Sequence, residues 1–177
     1  MSCDVINYKK ELTMRITVKQ KQMTKAVIEK IIEIDKTFYS DFDYNDTAWY
    51  FNRYSEKNSI TVLEANGEIV GYYLFYSISQ RLYKEICQLQ HDNDYNFDER
   101  EVNVASEIEY IPSVLVQKEY LRYAYKLIMK LRKDIASKKR LVAIAISPEG
   151  HRMCEKFLEW VGCVRPGVDV YEKDVNK

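Results

Sequence analysis

The chain has 177 residues, 46% of them hydrophobic and 31% charged, the size and make-up of a single globular domain with a substantial core. Its 27 basic and 27 acidic side chains cancel, so bulk charge argues for neither nucleic acid nor an anionic membrane as a partner. Four widely spaced cysteines and two histidines give no zinc-ligand spacing and no disulfide framework, and no metal is expected. No signal-peptide pattern opens the chain and no apolar stretch is long enough to cross a bilayer, so a reduced, cytoplasmic location is the expectation.

Residues 1–12 are polar and read as a lead-in, with one domain over 13–177. Residues 13–19 (TMRITVK) alternate Met14, Ile16 and Val18, the period of a strand. Residues 22–38 place Ala26, Val27, Ile31, Ile32 and Ile34 on a helical stripe. A second helix is expected over 46–54, capped by Asp46 and rich in aromatic rings. Runs 59–65 and 69–77 read as strands joined by Asn66-Gly67-Glu68, a strong hairpin signal. Residues 79–90 align Leu82, Ile86 and Leu89 in a further helix, and the acidic stretch 91–101 reads as a loop. Residues 141–146 (LVAIAI) form an apolar strand. Ser147 and Pro148 then suit the N-cap and first position of a last helix. That helix is expected to bury Met153, Phe157 and Trp160 and to stop at Gly162, ahead of a final strand over 168–171.

Between loop and apolar strand lies the stretch around which the rest is organised. Residues 107–116 are rich in Ile, Tyr and Val without a helical period and read as a buried strand. From Tyr120 the period changes, and Leu121, Ala124, Leu127, Ile128, Leu131 and Ile135 fall on one helical face. A buried strand turning into a long helix offers unpaired N–H groups and the positive end of a dipole, which attract phosphate.

This strand-turn-helix resembles the central motif of the GNAT superfamily of N-acetyltransferases, V-x-P-E-Y-R-G-K-G-x-G-x-x-L-L. Val116, Glu119 and Tyr120 match its opening, whereas Ala124 and Lys126 stand where its paired glycines would be. LEANGEIVGYYLF is similar to the family's V-x-E-x-D-G-x-I-V-G-Y hairpin. CEKFLEWVGCV is similar to its closing A-x-x-L-Y-E-K-x-G-F-V, with Glu159 and Gly162 matching. The resemblance runs along nearly the whole chain and implies the α/β acyl-CoA N-acyltransferase fold, a central mixed sheet flanked by helices.

It also implies acetyl transfer from acetyl-CoA to an amine by direct attack. Main-chain groups of Ser113, Val114, Leu115 and Val116 would pair with the pantetheine arm. Leu121, Arg122, Tyr123, Ala124, Tyr125 and Lys126 would serve the pyrophosphate, Arg122 and Lys126 adding charge in place of the lost glycines. Pro112, lacking an N–H, suits a break in the ladder. Glu109, and second Glu107, stand where the family carries a catalytic base; they alternate onto one face, which leaves open that both are surface residues. Leu158 occupies the position of the family's proton-donating tyrosine. Cys154, one turn earlier, is either a substitute donor or a small packed hydrophobe.

An acceptor pocket would draw on Phe38, Tyr39, Phe42, Tyr44, Trp49, Tyr50, Phe51 and Tyr54, with Asp41, Asp43 and Asp46 among them; carboxylates beside rings suit a cationic amine. The partners implied are a small-molecule or peptide amine, with a monomer or homodimer, and neither nucleic acid nor membrane. The alternative is a catalytically degenerate relative that binds acyl-CoA or another protein.

Overall fold

The computed structural model describes residues 14–39, 47–54 and 58–175. The lead-in, Phe42, Tyr44 and the three aspartates 41, 43 and 46 lie outside these. Strand β1 (Ile16–Gln22) leads to helix α1 (Lys25–Asp35), whose first turn is capped by the Thr24 hydroxyl accepting from the Val27 N–H. The helix buries Ile28, Ile31, Ile32 and Ile34, each contributing ~1.5–3 kcal/mol of apolar burial. Ala26, expected on that stripe, is exposed. Helix α2 (Thr47–Arg53) follows, then strands β2 (Ser59–Ala65) and β3 (Glu68–Leu74). Asn66 and Gly67 turn between them with φ of 52° and 93°, the paired left-handed conformation that an Asn-Gly turn accepts at least cost.

A break at Phe75 separates β3 from β4 (Tyr76–Ser77), after which Ser79 caps α3 (Gln80–Cys87). The acidic stretch holds a short 3₁₀ turn (Glu99–Glu101). The central strand is two segments, β5 (Ile108–Tyr110) and β6 (Val114–Val116), interrupted at residues 111–113, where Pro112 can donate nothing to a ladder. A 3₁₀ helix (Lys118–Tyr123) runs into α4 (Ala124–Ser137). Strand β7 (Arg140–Ala145), helix α5 (Pro148–Phe157), and strands β8 (Glu159–Arg165) and β9 (Val168–Asp174) complete the chain.

The end of the chain departs from the sequence reading. Helix α5 stops at Phe157, and Trp160 and Gly162 belong to β8, with Trp160 62% exposed. The alternation Trp160, Val161, Gly162, Cys163, Val164 pairs with β9 across Gly167, a left-handed turn residue at φ 82°. Gly162 is therefore a strand residue, closely approached by the Leu89 side chain, rather than a helix stop.

One sheet has the order β1-β2-β3-β6, wholly antiparallel; the other has β4-β5-β7-β9-β8, parallel at β5/β7. Because β3 continues into β4 and β5 into β6, one antiparallel strand pair passes from sheet to sheet. Helices α1, α2 and α3 cover one face around Ile31, Tyr72, Ile86, Val142 and Val170. Helices α4 and α5 cover the other, around Tyr73, Ile111, Leu127, Leu131 and Leu141.

Candidate active site

Parallel pairing of β5 with β7 joins Ile108 to Arg140, Glu109 to Leu141 and Tyr110 to Val142, and ends at a bond from the Ile111 N–H to the Val142 carbonyl, 3.2 Å. Beyond it the strands part. Residues 114–116 pair with β3, while Ala143, Ile144 and Ala145 pair with β9. The Gln117 N–H donates to the Val70 carbonyl at 2.9 Å. Since antiparallel bonds fall on alternate residues, Leu115 is the next to face β3, opposite Tyr72. The N–H and C=O groups of Val114 and Val116 therefore point into the opening between β6 and β7. Backbone groups left at such an edge need polar partners, and an extended amide-bearing ligand can supply them.

The expected phosphate turn is built differently from a glycine loop. The 3₁₀ helix engages the Tyr120 N–H with the Gln117 carbonyl and the Ala124 N–H with the Leu121 carbonyl, and neither it nor α4 has a side-chain cap. The helical N–H run thus starts nearer the strand than residues 121–126. Ala124 and Tyr123 pack on the α4-side core. Leu121 and Tyr125 are exposed, and the Arg122 guanidinium lies over the Tyr123 ring, 4.8 Å from its centre. Lys126 is half-buried.

Glu107 and Glu109 share the α4 face, as their alternation requires. Glu107 is 75% exposed and pairs with Lys139 at 2.8 Å. Glu109 is more shielded and pairs with Lys138 at 2.7 Å, the same ammonium lying 5.0 Å from the centre of the Phe75 ring. In α5, Ser147 caps the Gly150 N–H at 3.1 Å. Cys154 packs in the α4-side core beside Leu158, and burial, then the Glu155 charge, push its thiol up to about 12. A thiol so weakly acidic is a poor donor to a departing thiolate, which favours the packed-hydrophobe reading of Cys154.

On the opposite face lies a polar nest not foreseen from the sequence. Asp35, 4% exposed, accepts from the Tyr50 hydroxyl at 2.8 Å and from the Tyr72 hydroxyl. Burial pushes its carboxyl up to about 6, against the pull of those two phenols. Asp94 accepts from Tyr76 at 3.0 Å. Arg53 is wholly buried, its guanidinium 5.3–5.7 Å from the ring centres of Trp49, Tyr76 and Phe97. One nitrogen reaches the Asp94 and Phe97 carbonyls at 3.3 Å and Glu99 at 3.4 Å; Nε and Nη1 meet no acceptor among the described residues. Burial pushes the Tyr39 phenol up, against a smaller opposing pull from Ser113, in the break between β5 and β6. The signal was present in α1, where Asp35 stands four positions after Ile31 on the buried stripe.

Among the described residues no group of three His, Cys, Asp or Glu could hold a metal ion, and no helix is long and apolar enough to cross a membrane. No family model matches the chain, and no curated protein matches it by sequence. Solved structures do. An N-acetyltransferase from Staphylococcus aureus Mu50 is 17% identical, with 89% of this chain and 98% of that one covered and a TM-score of 0.55. The loading GNATL domain of CurA from Lyngbya majuscula is 13% identical, covering 90% and 98%, with a TM-score of 0.58. A GNAT-family acetyltransferase from Streptococcus agalactiae 2603 is 13% identical, covering 90% and 96%, at 0.57. Over nearly its whole length, then, the chain has the mixed α/β acyl-CoA N-acyltransferase fold of the GNAT acetyltransferases.

Proposed function

We propose that the protein transfers an acetyl group from acetyl-CoA to a primary amine of a small molecule or peptide by direct attack. The observation that carries this reading is the parting of β6 from β7, which leaves the Val114 and Val116 backbone groups open to a pantetheine arm. Ser113 and Leu115 complete that strand. The helical N–H run beginning at Lys118, with Arg122 and Lys126, would receive the pyrophosphate. The solved structures of like fold include proteins named as acetyltransferases, which supports the same chemistry here. A cytoplasmic location belongs to the same reading.

Attack needs a neutral amine, and a carboxylate, directly or through water, can take its proton. Glu109 is the better shielded of the two strand candidates, and its pair with Lys138 must open for it to act; Glu107 is second. Glu109→Gln then lowers the rate at neutral pH and flattens the acidic limb of the rate profile, and an unchanged profile removes Glu109 from the role. A second reading, a non-catalytic acyl-CoA or protein binder, draws on the absent glycines at Ala124 and Lys126.

Calorimetric titration of acetyl-CoA into the protein, with Arg122→Ala and Lys126→Ala alongside, tests the proposal. Micromolar binding weakened by both changes is expected. No binding at millimolar ligand overturns it.

A further inference from the structure

The outer face of α4, with the 3₁₀ helix leading into it, differs from the rest of this charge-balanced chain. Leu121, Tyr125 and Met129 stand at four-residue steps and are 56%, 60% and 55% exposed, so they line up on one side of the helix. Three large apolar side chains on successive turns make a patch rather than scattered surface residues. Lys118, Arg122, Arg132 and Lys133 are exposed on the same side. The only acid in α4, Asp134, is half-buried and engaged by Tyr73 at 2.6 Å and by Lys130. Glu119 is the one exposed carboxylate between Lys118 and Ser137, and Lys118, Arg132 and Lys133 form no ion pair among the described residues. From Leu121 to Lys133 the face runs ~18 Å, the length of an ordinary globular helix.

Its place narrows the choice of partner. The stripe begins directly after β6 and Gln117, where an arm lying along Val114 and Val116 would leave the opening. That end is poorly furnished for a nucleotide. Ala124 and Lys126 stand in place of glycines, no side chain caps either helix, and the Tyr120 and Ala124 N–H groups are already taken by the Gln117 and Leu121 carbonyls. An arm tethered to a protein needs no nucleotide seat, because the protein's own surface supplies the remaining contacts.

We propose that Leu121, Tyr125 and Met129, with their flanking cations, dock an acidic helical carrier protein that delivers the acetyl group as a thioester of its phosphopantetheine. The inference rests on the acetyl-transfer reading above and adds a second donor to it. A partner helix laid along the stripe sets its apolar side chains on the three residues and its carboxylates opposite Arg122, Arg132 and Lys133. The transfer balances as it does with the free coenzyme. The amine nitrogen forms the C–N bond at the thioester carbon, and the C–S bond breaks with its electron pair on sulfur. The proton lost by nitrogen ends on that sulfur, leaving an acetylated amine and a carrier with a free thiol.

The test compares an acidic acyl carrier protein charged with acetyl-phosphopantetheine against acetyl-CoA as donor. Tyramine, spermidine and a peptide with a free N-terminus serve as acceptors, and mass spectrometry follows acetyl loss from the carrier and gain by the amine. Met129→Glu, and Arg132→Glu combined with Lys133→Glu, should each lower kcat/KM with the charged carrier about tenfold or more, while kcat/KM with acetyl-CoA stays within about twofold. All three positions are exposed, and an unchanged acetyl-CoA rate also reports an intact fold. The carrier-dependent rate of the parent should fall from about 50 mM to about 500 mM salt more steeply than that of the double variant. Turnover of acetyl-CoA with none from the carrier overturns this inference alone, as do variants that slow both donors equally or neither. Sedimentation with phosphatidylserine vesicles is run in parallel, and vesicle binding that Met129→Glu abolishes would assign the stripe to a lipid surface and overturn the inference too. No turnover of any amine with either donor overturns the transfer reading and this inference with it.

Discussion

Gly71 lies where β3 crosses β6, opposite Val116, and it tests whether the open strand is pinned from behind. A Cβ built there would sit 2.8 Å from the Leu115 carbonyl oxygen, 2.9 Å from a Val116 methyl and 3.1 Å from the Val116 Cα. Two of these three neighbours are backbone, so no rotamer change relieves the clash and β6 must shift by a few tenths of an ångström. Overpacking of this kind costs ~1–3 kcal/mol. In a chain of this length that lowers Tm by roughly 2–4 °C per kcal/mol. The same shift displaces the Val114 and Val116 groups lining the opening, so acetyl-CoA affinity should fall about tenfold for each ~1.4 kcal/mol of lost interaction. Differential scanning calorimetry and ligand titration of Gly71→Ala measure both effects. A variant that melts within a degree or so of the parent and binds equally well would show that β6 is free to give, and the argument from close approach would fall.

The buried carboxyl of Asp35 makes a thermodynamic prediction of its own. Its folded-state carboxyl is raised to about 6 from an ordinary 3.8, so the native state binds the proton more tightly than the unfolded chain does. That contribution to stability is fully present below the unfolded value and is lost as pH rises through the folded one, a change of ~3 kcal/mol. Urea unfolding at several pH values should show the parent losing stability relative to Asp35→Asn between about pH 4 and about pH 7; parallel profiles would refute the burial argument. For Arg53, an unbranched apolar chain fills the aromatic cage and leaves no buried charge. Arg53→Met should therefore be clearly more stable than Arg53→Ala by urea unfolding, and equal stabilities would refute the cage as a packing site. With a thiol reagent near neutral pH, mass mapping should find exposed Cys163 modified well before Cys154. Early labelling of Cys154 would contradict its burial.

Most of the architecture was readable because local chemistry and tertiary placement agree. Asn66-Gly67 demanded a left-handed turn and made one; Ser79, Ser147 and Pro148 stand where helices start. The break at Pro112 was legible for the same reason, a missing donor. The chain end was misread because Phe157, Trp160 and Gly162 fit both a helix stop and a β-ladder, and only pairing with β9 decides between them. Within the candidate site, the open strand could be anticipated from a motif. The nest of Asp35, Arg53 and Asp94 could not, because its members come from α1, α2 and a loop, and their meeting is a property of packing rather than spacing. Asp35 alone carried a hint, a carboxylate among isoleucines on a buried stripe.

The strand pair shared by the two sheets has a mechanical consequence. The opening between β6 and β7 is a wedge whose jaws belong to different half-sheets, β6 to the β1-β2-β3 half and β7 to the β9-β8 half, hinged where residues 111–113 and Phe75 interrupt the pairing. A ligand lodged in the wedge bridges two halves whose hydrogen-bonded ladders meet only where β3 continues into β4 and β5 into β6. Occupancy should therefore slow amide exchange in both jaws together, including at Ala143 and Ile144, which need not touch the ligand at all.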